Sequence, residues 1–331
     1  MSTAFQINQN GEFLVCKNQD VIYDGVYLFT NQRGVRKTAL MMPPTQPASW
    51  VSAYGSLTVS QIGKENPNGG INEKGLVVEQ TTLWQTEYPA SDVRPAVNEL
   101  QWIQYLLDTC STVQEVLEVA PSIRIDQSTS KLHYLIADRS GEHTIIEFFN
   151  GEMTFYREKS IFPIIVNSPY EEALKEIESG KTNWSDCDEY HENSMQRLLT
   201  VSKRLQENLN LVDVIDFTFE VLTSAKREDT VYSLVYDINR MEVHAYTNQN
   251  PERKTIKMVD FDFANGSLSR SVDLQRLRAK NVTEQFETYN TEFNYNAVNS
   301  FFRNPTLTAI FKWKISDEMV QFLARYPDSF S

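Results

Sequence analysis

Met1-Ser2-Thr3-Ala4-Phe5 runs directly into strand-forming residues, with no arm or linker between. Removal of Met1 leaves Ser2 with a free α-amine beside its own hydroxyl. One residue then carries both a nucleophile and the base that activates it, the logic of N-terminal-nucleophile enzymes. A serine after a leading methionine is common, so the reading depends on the rest of the chain.

The first third of the chain reads as strands. Glu12-Phe-Leu-Val-Cys, Gly25-Val-Tyr-Leu-Phe-Thr, Tyr54-Gly-Ser-Leu-Thr-Val-Ser and Gly75-Leu-Val-Val-Glu-Gln-Thr-Thr-Leu-Trp are short β-branched and aromatic runs, punctuated by Gly, Asn and Asp. From Ala96 to Cys110 the spacing changes: Leu100, Ile103, Leu106 and Leu107 fall on one helical face. A second helix is expected from Ser111, with Ser111 as its cap. Strands return at Leu132–Ala137 and at 143–149, joined by the turn Asp138-Arg-Ser-Gly. Residues 170–192 hold eight acids and two lysines and read as a solvated helix and loop. Helical periodicity runs from about Ser194 to Leu222, and a hairpin comes next at Thr230–Tyr236 and Arg240–Tyr246. Strands, helices, strands, helices, strands: the segregation predicts an α+β chain, with two packed antiparallel sheets between helical layers, rather than βαβ units. No repeat or low-complexity linker divides residues 1–331, which read as one domain.

The 331 residues carry 31 basic and 44 acidic side chains, a net charge of −13, with 41% hydrophobic and 23% charged residues. That is ordinary globular composition. The acidic balance argues against a nucleic-acid or anionic-membrane surface, and no run approaches the roughly 18 apolar residues of a membrane span. No basic-then-apolar leader precedes position 15, so the sequence as it stands reads as cytoplasmic; with a leader removed it reads as periplasmic or secreted. Cys16, Cys110 and Cys187 cannot all pair and lack metal spacing, and the four histidines are scattered. No metal or organic cofactor is expected. A P-loop, a G-x-G-x-x-G after a strand and a G-x-S-x-G elbow are all absent.

Taken in order, a series of short motifs resembles the choloylglycine hydrolase family, linear-amide C–N hydrolases that include bile salt hydrolases and penicillin V acylases. Ser2-Thr3 stands where the family has Cys-Thr, and Cys16-Lys17-Asn18-Gln19-Asp20 where it has a Gly-Arg-x-x-Asp-like strand. Asn31-Gln-Arg-Gly, Trp50-Val-Ser-Ala-Tyr-Gly-Ser, Gly70-Ile-Asn-Glu-Lys-Gly-Leu, Asp92-Val-Arg-Pro, Trp102-Ile-Gln-Tyr-Leu-Leu-Asp, Leu132-His, Asp138-Arg-Ser-Gly and Val166-Asn-Ser-Pro come in family order. The resemblance is strongest over 2–240 and thins after 260, leaving 260–331 as C-terminal strands or extension.

The resemblance implies a four-layer αββα N-terminal-nucleophile hydrolase and assigns roles by position. Ser2 replaces the nucleophilic cysteine, and Asp20 matches the aspartate that orients the N-terminal amine. Asn167 matches the oxyanion-stabilising asparagine, a task its amide N–H suits. Arg197 falls where the family has an arginine near the nucleophile, although an exposed helix arginine fits its flanks nearly as well. Lys17 keeps the charge of the family's arginine but loses the bidentate fork. Thr82 aligns with a larger side chain facing substrate, so the pocket is wider or one oxyanion donor is lost. Cys16, at the motif's glycine, reads as a small buried residue rather than a nucleophile.

Two departures matter. An alcohol is far less acidic than a thiol and needs stronger help to attack an amide. Ser2 is therefore an engineered exchange of cysteine, a natural serine nucleophile, or the mark of a silent binder; the first fits best with the other landmarks. Asn167 and Arg197 are also closer in sequence than in the named relatives, which implies a different assembly and a more open site. The expected activity is hydrolysis of a small-molecule N-acyl amide through an acyl-enzyme. A non-catalytic binding homologue and an acyltransferase remain alternatives, and a homo-oligomer is compatible with either.

Overall fold

The computed structural model describes residues 1–9, 11–127, 129–157, 163–206 and 213–331. Two large sheets are wholly antiparallel. The six-stranded sheet runs in the order Ile164–Ile165, Ser2–Gln9, Glu12–Asp20, Thr230–Asp237, Glu242–Thr247, Lys254–Lys257. The nine-stranded sheet begins Glu152–Tyr156, His143–Phe149, Leu132–Ala137, Val77–Thr82, Gly69–Asn72. It continues through Ser56–Ser60, Tyr27–Asn31 and Arg270–Asp273 to Glu287–Thr288.

Three apolar layers explain why these strands stack. Ala4, Val15 and Leu234 of the first sheet meet Val59, Ile71 and Leu135 of the second in one continuous core. Because side chains alternate along a strand, Leu14 and Cys16 turn the other way. They pack with Leu198, Leu205, Phe217 and Leu222 from the helices Glu189–Gln206 and Val214–Ser224. On the far side Val78, Ile136 and Ile146 bury against Trp102, Ile103 and Leu106 of the helix Gln101–Thr109. Their 3–4 residue spacing makes one apolar stripe. The expected αββα sandwich is thus the observed one. No helix among the described residues is long and apolar enough to cross a membrane.

Local readings differ from the structure in three places. Thr112, not Ser111, caps the helix Val113–Val119, its side chain accepting from the Glu115 N–H. Ser111 instead donates to the Glu115 carboxylate through its backbone N–H and, at 2.9 Å, its hydroxyl, a reciprocal clasp displaced by one residue. The periodicity from Ser194 to Leu222 belongs to two helices; the second starts at an Asp213 cap that accepts from Ile215 and Asp216 N–H, and residues 207–212 lie outside the described residues. Beyond residue 260 there are strands, but also the helices Thr291–Phe302, Pro305–Phe311 and Asp317–Arg325.

Candidate active site

Hairpin register brings the first residues to their neighbours. In the pair Ser2–Gln9 and Glu12–Asp20, Ser2 faces Gln19 and Ala4 faces Lys17. On the opposite edge Ala4 faces Ile165, so the chain leaving that short strand delivers Asn167 beside Ser2. The Ser2 N–H donates to Asn167 Oδ1 at 3.0 Å. The Ser2 hydroxyl has the Met1 carbonyl and Gln19 Oε1, 3.3 Å away, as acceptors.

Arg197 projects inward from the helix Glu189–Gln206, on the side that also buries Ser194 and Val201. It donates to the Ser2 carbonyl at 2.6 Å, to Thr3 Oγ1 at 2.7 Å and to Asn167 Oδ1 at 2.7 Å. Asn193, one helical turn earlier, accepts from its Nε at 2.9 Å. Two donors on Asn167 Oδ1 fix the orientation of the amide, whose Nδ2 donates to the Thr82 carbonyl at 2.8 Å. Thr82 therefore meets the site through its backbone as well as along the cavity wall.

Asp20 is buried at the end of its strand. Its Oδ1 accepts from Thr230 Oγ1 at 2.7 Å, Arg197 lies 4.0 Å from its Oδ2, and that Oδ2 has no hydrogen-bond partner. Burial raises the Asp20 pKa, opposed by Arg197, Thr230 and the terminal amine. The Met1 amine donates to the Asp20 carbonyl at 2.9 Å. Burial, opposed by Asp20 and reinforced by Arg197, lowers that amine from 8.0 to about 6. Burial also lowers Arg197, to about 10.

The depressed amine makes stability depend on pH in the Met1-bearing chain. Between pH 8 and 6 the unfolded chain binds the proton that the folded chain refuses, so stability falls as pH drops through this window. The expected loss between pH 8 and pH 6 is about 2 kcal/mol for a shift of this size. Urea unfolding at pH 8 and pH 6, with and without Met1, checks it: loss of Met1 should alter the slope in that window.

Lys17 does not join the cluster around Ser2. It is buried between the sheets, donating to the Gln80 carbonyl and lying 3.6 Å from Glu79, which also accepts from the Tyr236 hydroxyl at 2.7 Å. Burial works against both charges, lowering Lys17 and raising Glu79. It is a cross-sheet tie behind the site. Cys16 packs in the outer apolar layer, and burial pushes its thiol well up.

A cavity of about 180 Å³ opens on this cluster and is lined by Met1, Gln19, Asp20 and Thr82 together with apolar side chains. The sequence reading missed Gln19, which sits inside the Cys16–Asp20 motif and becomes visible only once the hairpin register is known. It also missed Asn193 and the apolar contribution of Phe301, Leu307, Phe311 and Trp313 to the cavity wall. The signal for the last was a density of aromatic residues in a stretch where the resemblance had faded.

Residues 8–252 match the model of the family described as acyl-coenzyme A:6-aminopenicillanic acid acyl-transferase. A penicillin V acylase from Pectobacterium atrosepticum is 29% identical over 136 residues, an alignment covering 36% of this chain and 36% of that protein. The match thus spans little more than a third of that relative's length. Among solved structures, a penicillin V acylase from Agrobacterium tumefaciens superposes with a TM-score of 0.71 at 19% identity, covering 88% of this chain and 98% of the other. A variant of the conjugated bile acid hydrolase from Clostridium perfringens gives 0.67 at 15% identity, covering 82% and 97%. At these identities the likeness is one of fold, the sandwich of two stacked antiparallel sheets between helices.

Proposed function

The chain belongs to the acyl-coenzyme A:6-aminopenicillanic acid acyl-transferase family, with the choloylglycine-hydrolase-like kinship read from its motifs, and we propose that it cleaves linear carboxamides of small N-acyl compounds through an acyl-enzyme on Ser2. The observation that carries the reading is the meeting of Ser2, Asn167 and Arg197 at one carboxamide oxygen, from segments 165 and 195 residues apart. Such convergence supports reading Ser2 as nucleophile and Asn167 as amide donor, the pair that acyl transfer requires.

With Met1 removed, the Ser2 amine takes the proton of Oγ, and Oγ attacks the acyl carbon. Of the two Asn167 Nδ2–H bonds, one faces the Thr82 carbonyl and the other holds the developing oxyanion together with a backbone N–H. The protonated amine then gives its proton to the leaving nitrogen, and water resolves the acyl-enzyme. Asp20 Oδ2, which has no hydrogen-bond partner, is the acceptor proposed for the ammonium. Arg197 holds Asn167 and the Ser2 carbonyl in register.

Exchange of Ser2 for cysteine tests this directly. In Met1-free protein, Ser2→Cys should raise amide turnover by roughly tenfold or more, because a thiol is a far better nucleophile near neutral pH. Turnover of N-acyl amino acids, conjugated bile salts and phenoxyacetyl amides is the measurement. If both forms stay inert across the panel while a member binds tightly, the hydrolase reading is replaced by that of a binder. The family's description favours a second outcome, transfer of the acyl group to an amine. Product analysis with added amines separates it: an N-acyl product at the expense of free acid marks a transferase.

A further inference from the structure

We propose that Phe311 and Trp313, in a segment beyond the family match at residue 252, are specificity-determining residues that recognise a planar acyl group. The proposal deepens the amide-cleavage reading and rests on it for the position of the scissile bond. The helix Pro305–Phe311 ends where Lys312 takes a left-handed conformation, φ +53°. That turn folds Trp313 back onto Phe311: their ring planes differ by 5°, with centroids 4.9 Å apart. Trp313 is fixed from behind, donating from Nε1 to the Phe302 carbonyl at 3.2 Å and packing against Phe301 with centroids 5.4 Å apart.

Both rings line the cavity that also holds Met1, Asp20 and Thr82. Phe311 is 46% exposed and Trp84, on the same cavity, is 54% exposed. Large apolar side chains left open around a cavity mark a ligand surface. A stacked pair with an open ring favours a further flat ring over an aliphatic group of equal size, since stacking adds to simple burial. Within the lining, Gln19, Asp20 and Thr82, neighbours of Ser2 and Asn167, come from the sandwich and this aromatic pair from the C-terminal segment. Changes in the segment should therefore retune acyl choice while leaving the chemistry in place.

The test is calorimetric binding to the Met1-free chain of the N-methylamides of phenylacetic, cyclohexylacetic and acetic acids, alongside turnover. The wild-type chain should bind the phenylacetyl amide roughly fivefold tighter than the cyclohexylacetyl amide. Trp313→Ala and Phe311→Ala should abolish that preference and leave acetyl binding near its starting value. Trp313→Phe should restore it, and Phe322→Ala, exposed on a different helix, should leave it intact. No preference in the wild-type chain, or a preference that survives Trp313→Ala, overturns the proposal. Preference without turnover, even in Ser2→Cys, leaves the aromatic wall standing and removes the amide-cleavage reading instead.

Discussion

Asn167→Asp is expected to lower kcat by about 10²–10³-fold, the loss expected on removal of one oxyanion donor, and to melt somewhat lower because a carboxylate oxygen then faces the Thr82 carbonyl. The reason lies in how the amide divides its two ends. Oδ1 accepts from the Ser2 N–H and from Arg197, so it holds the site together; Nδ2 is the end left for chemistry. Aspartate keeps the accepting end, and gains charge pairing with Arg197, but has no N–H to offer an oxyanion. Alanine removes both ends. Asn167→Ala should lose a similar factor in kcat and also melt lower, since the buried guanidinium loses an acceptor. Steady-state kinetics and a melting curve on the two variants separate holding from catalysis. An Asn167→Asp protein that turns over like its parent would falsify the oxyanion role.

The two variants also show why this residue could be named from sequence and its surroundings could not. Asn167 was legible because Val166-Asn-Ser-Pro falls in register with a known motif. Its two-sided use depends on Arg197, whose flanking residues fit an exposed helix position nearly as well as one beside the nucleophile. The burial of Ser194 and Val201, one turn to either side, is what shows Arg197 turned inward. Sheets and layers were readable because period-two strands and a 3–4 helical stripe are local patterns. Cross-strand register is a property of two segments at once, and no single segment records it. Hence Gln19 opposite Ser2 was missed although it stands one residue from Asp20, and Lys17 was grouped with the site although its Nζ reaches the other sheet. The aromatic wall at Phe311 and Trp313 was hidden for another reason: it lies where no motif guided the reading.

The second large effect concerns the terminus. A chain that keeps Met1 should turn over at least about 10²-fold more slowly than one that begins at Ser2, the lower end of what a positioned general base contributes. With Met1 in place the Ser2 nitrogen is a peptide amide, already donating to Asn167 Oδ1, and has no basic lone pair to offer. The amine present belongs to Met1, and it is bonded to the Asp20 carbonyl. Burial there lowers the Met1 amine to about 6; a terminal amine held low in this way is available as a base near neutral pH. In the proposed mechanism, removing Met1 frees the Ser2 amine beside Asn167, with Asp20 Oδ2 as the acceptor for its ammonium form. It also removes a side chain from the cavity lining, which opens room for substrate. The measurement uses two preparations in the Ser2→Cys background, one with Met1 cleaved and one with it retained, each verified by intact mass and assayed from pH 5 to 9. The cleaved form should gain activity as pH rises through the amine's titration, and the retained form should stay flat and low. Equal turnover by the two forms would remove the N-terminal amine from the mechanism and leave Ser2 without its base.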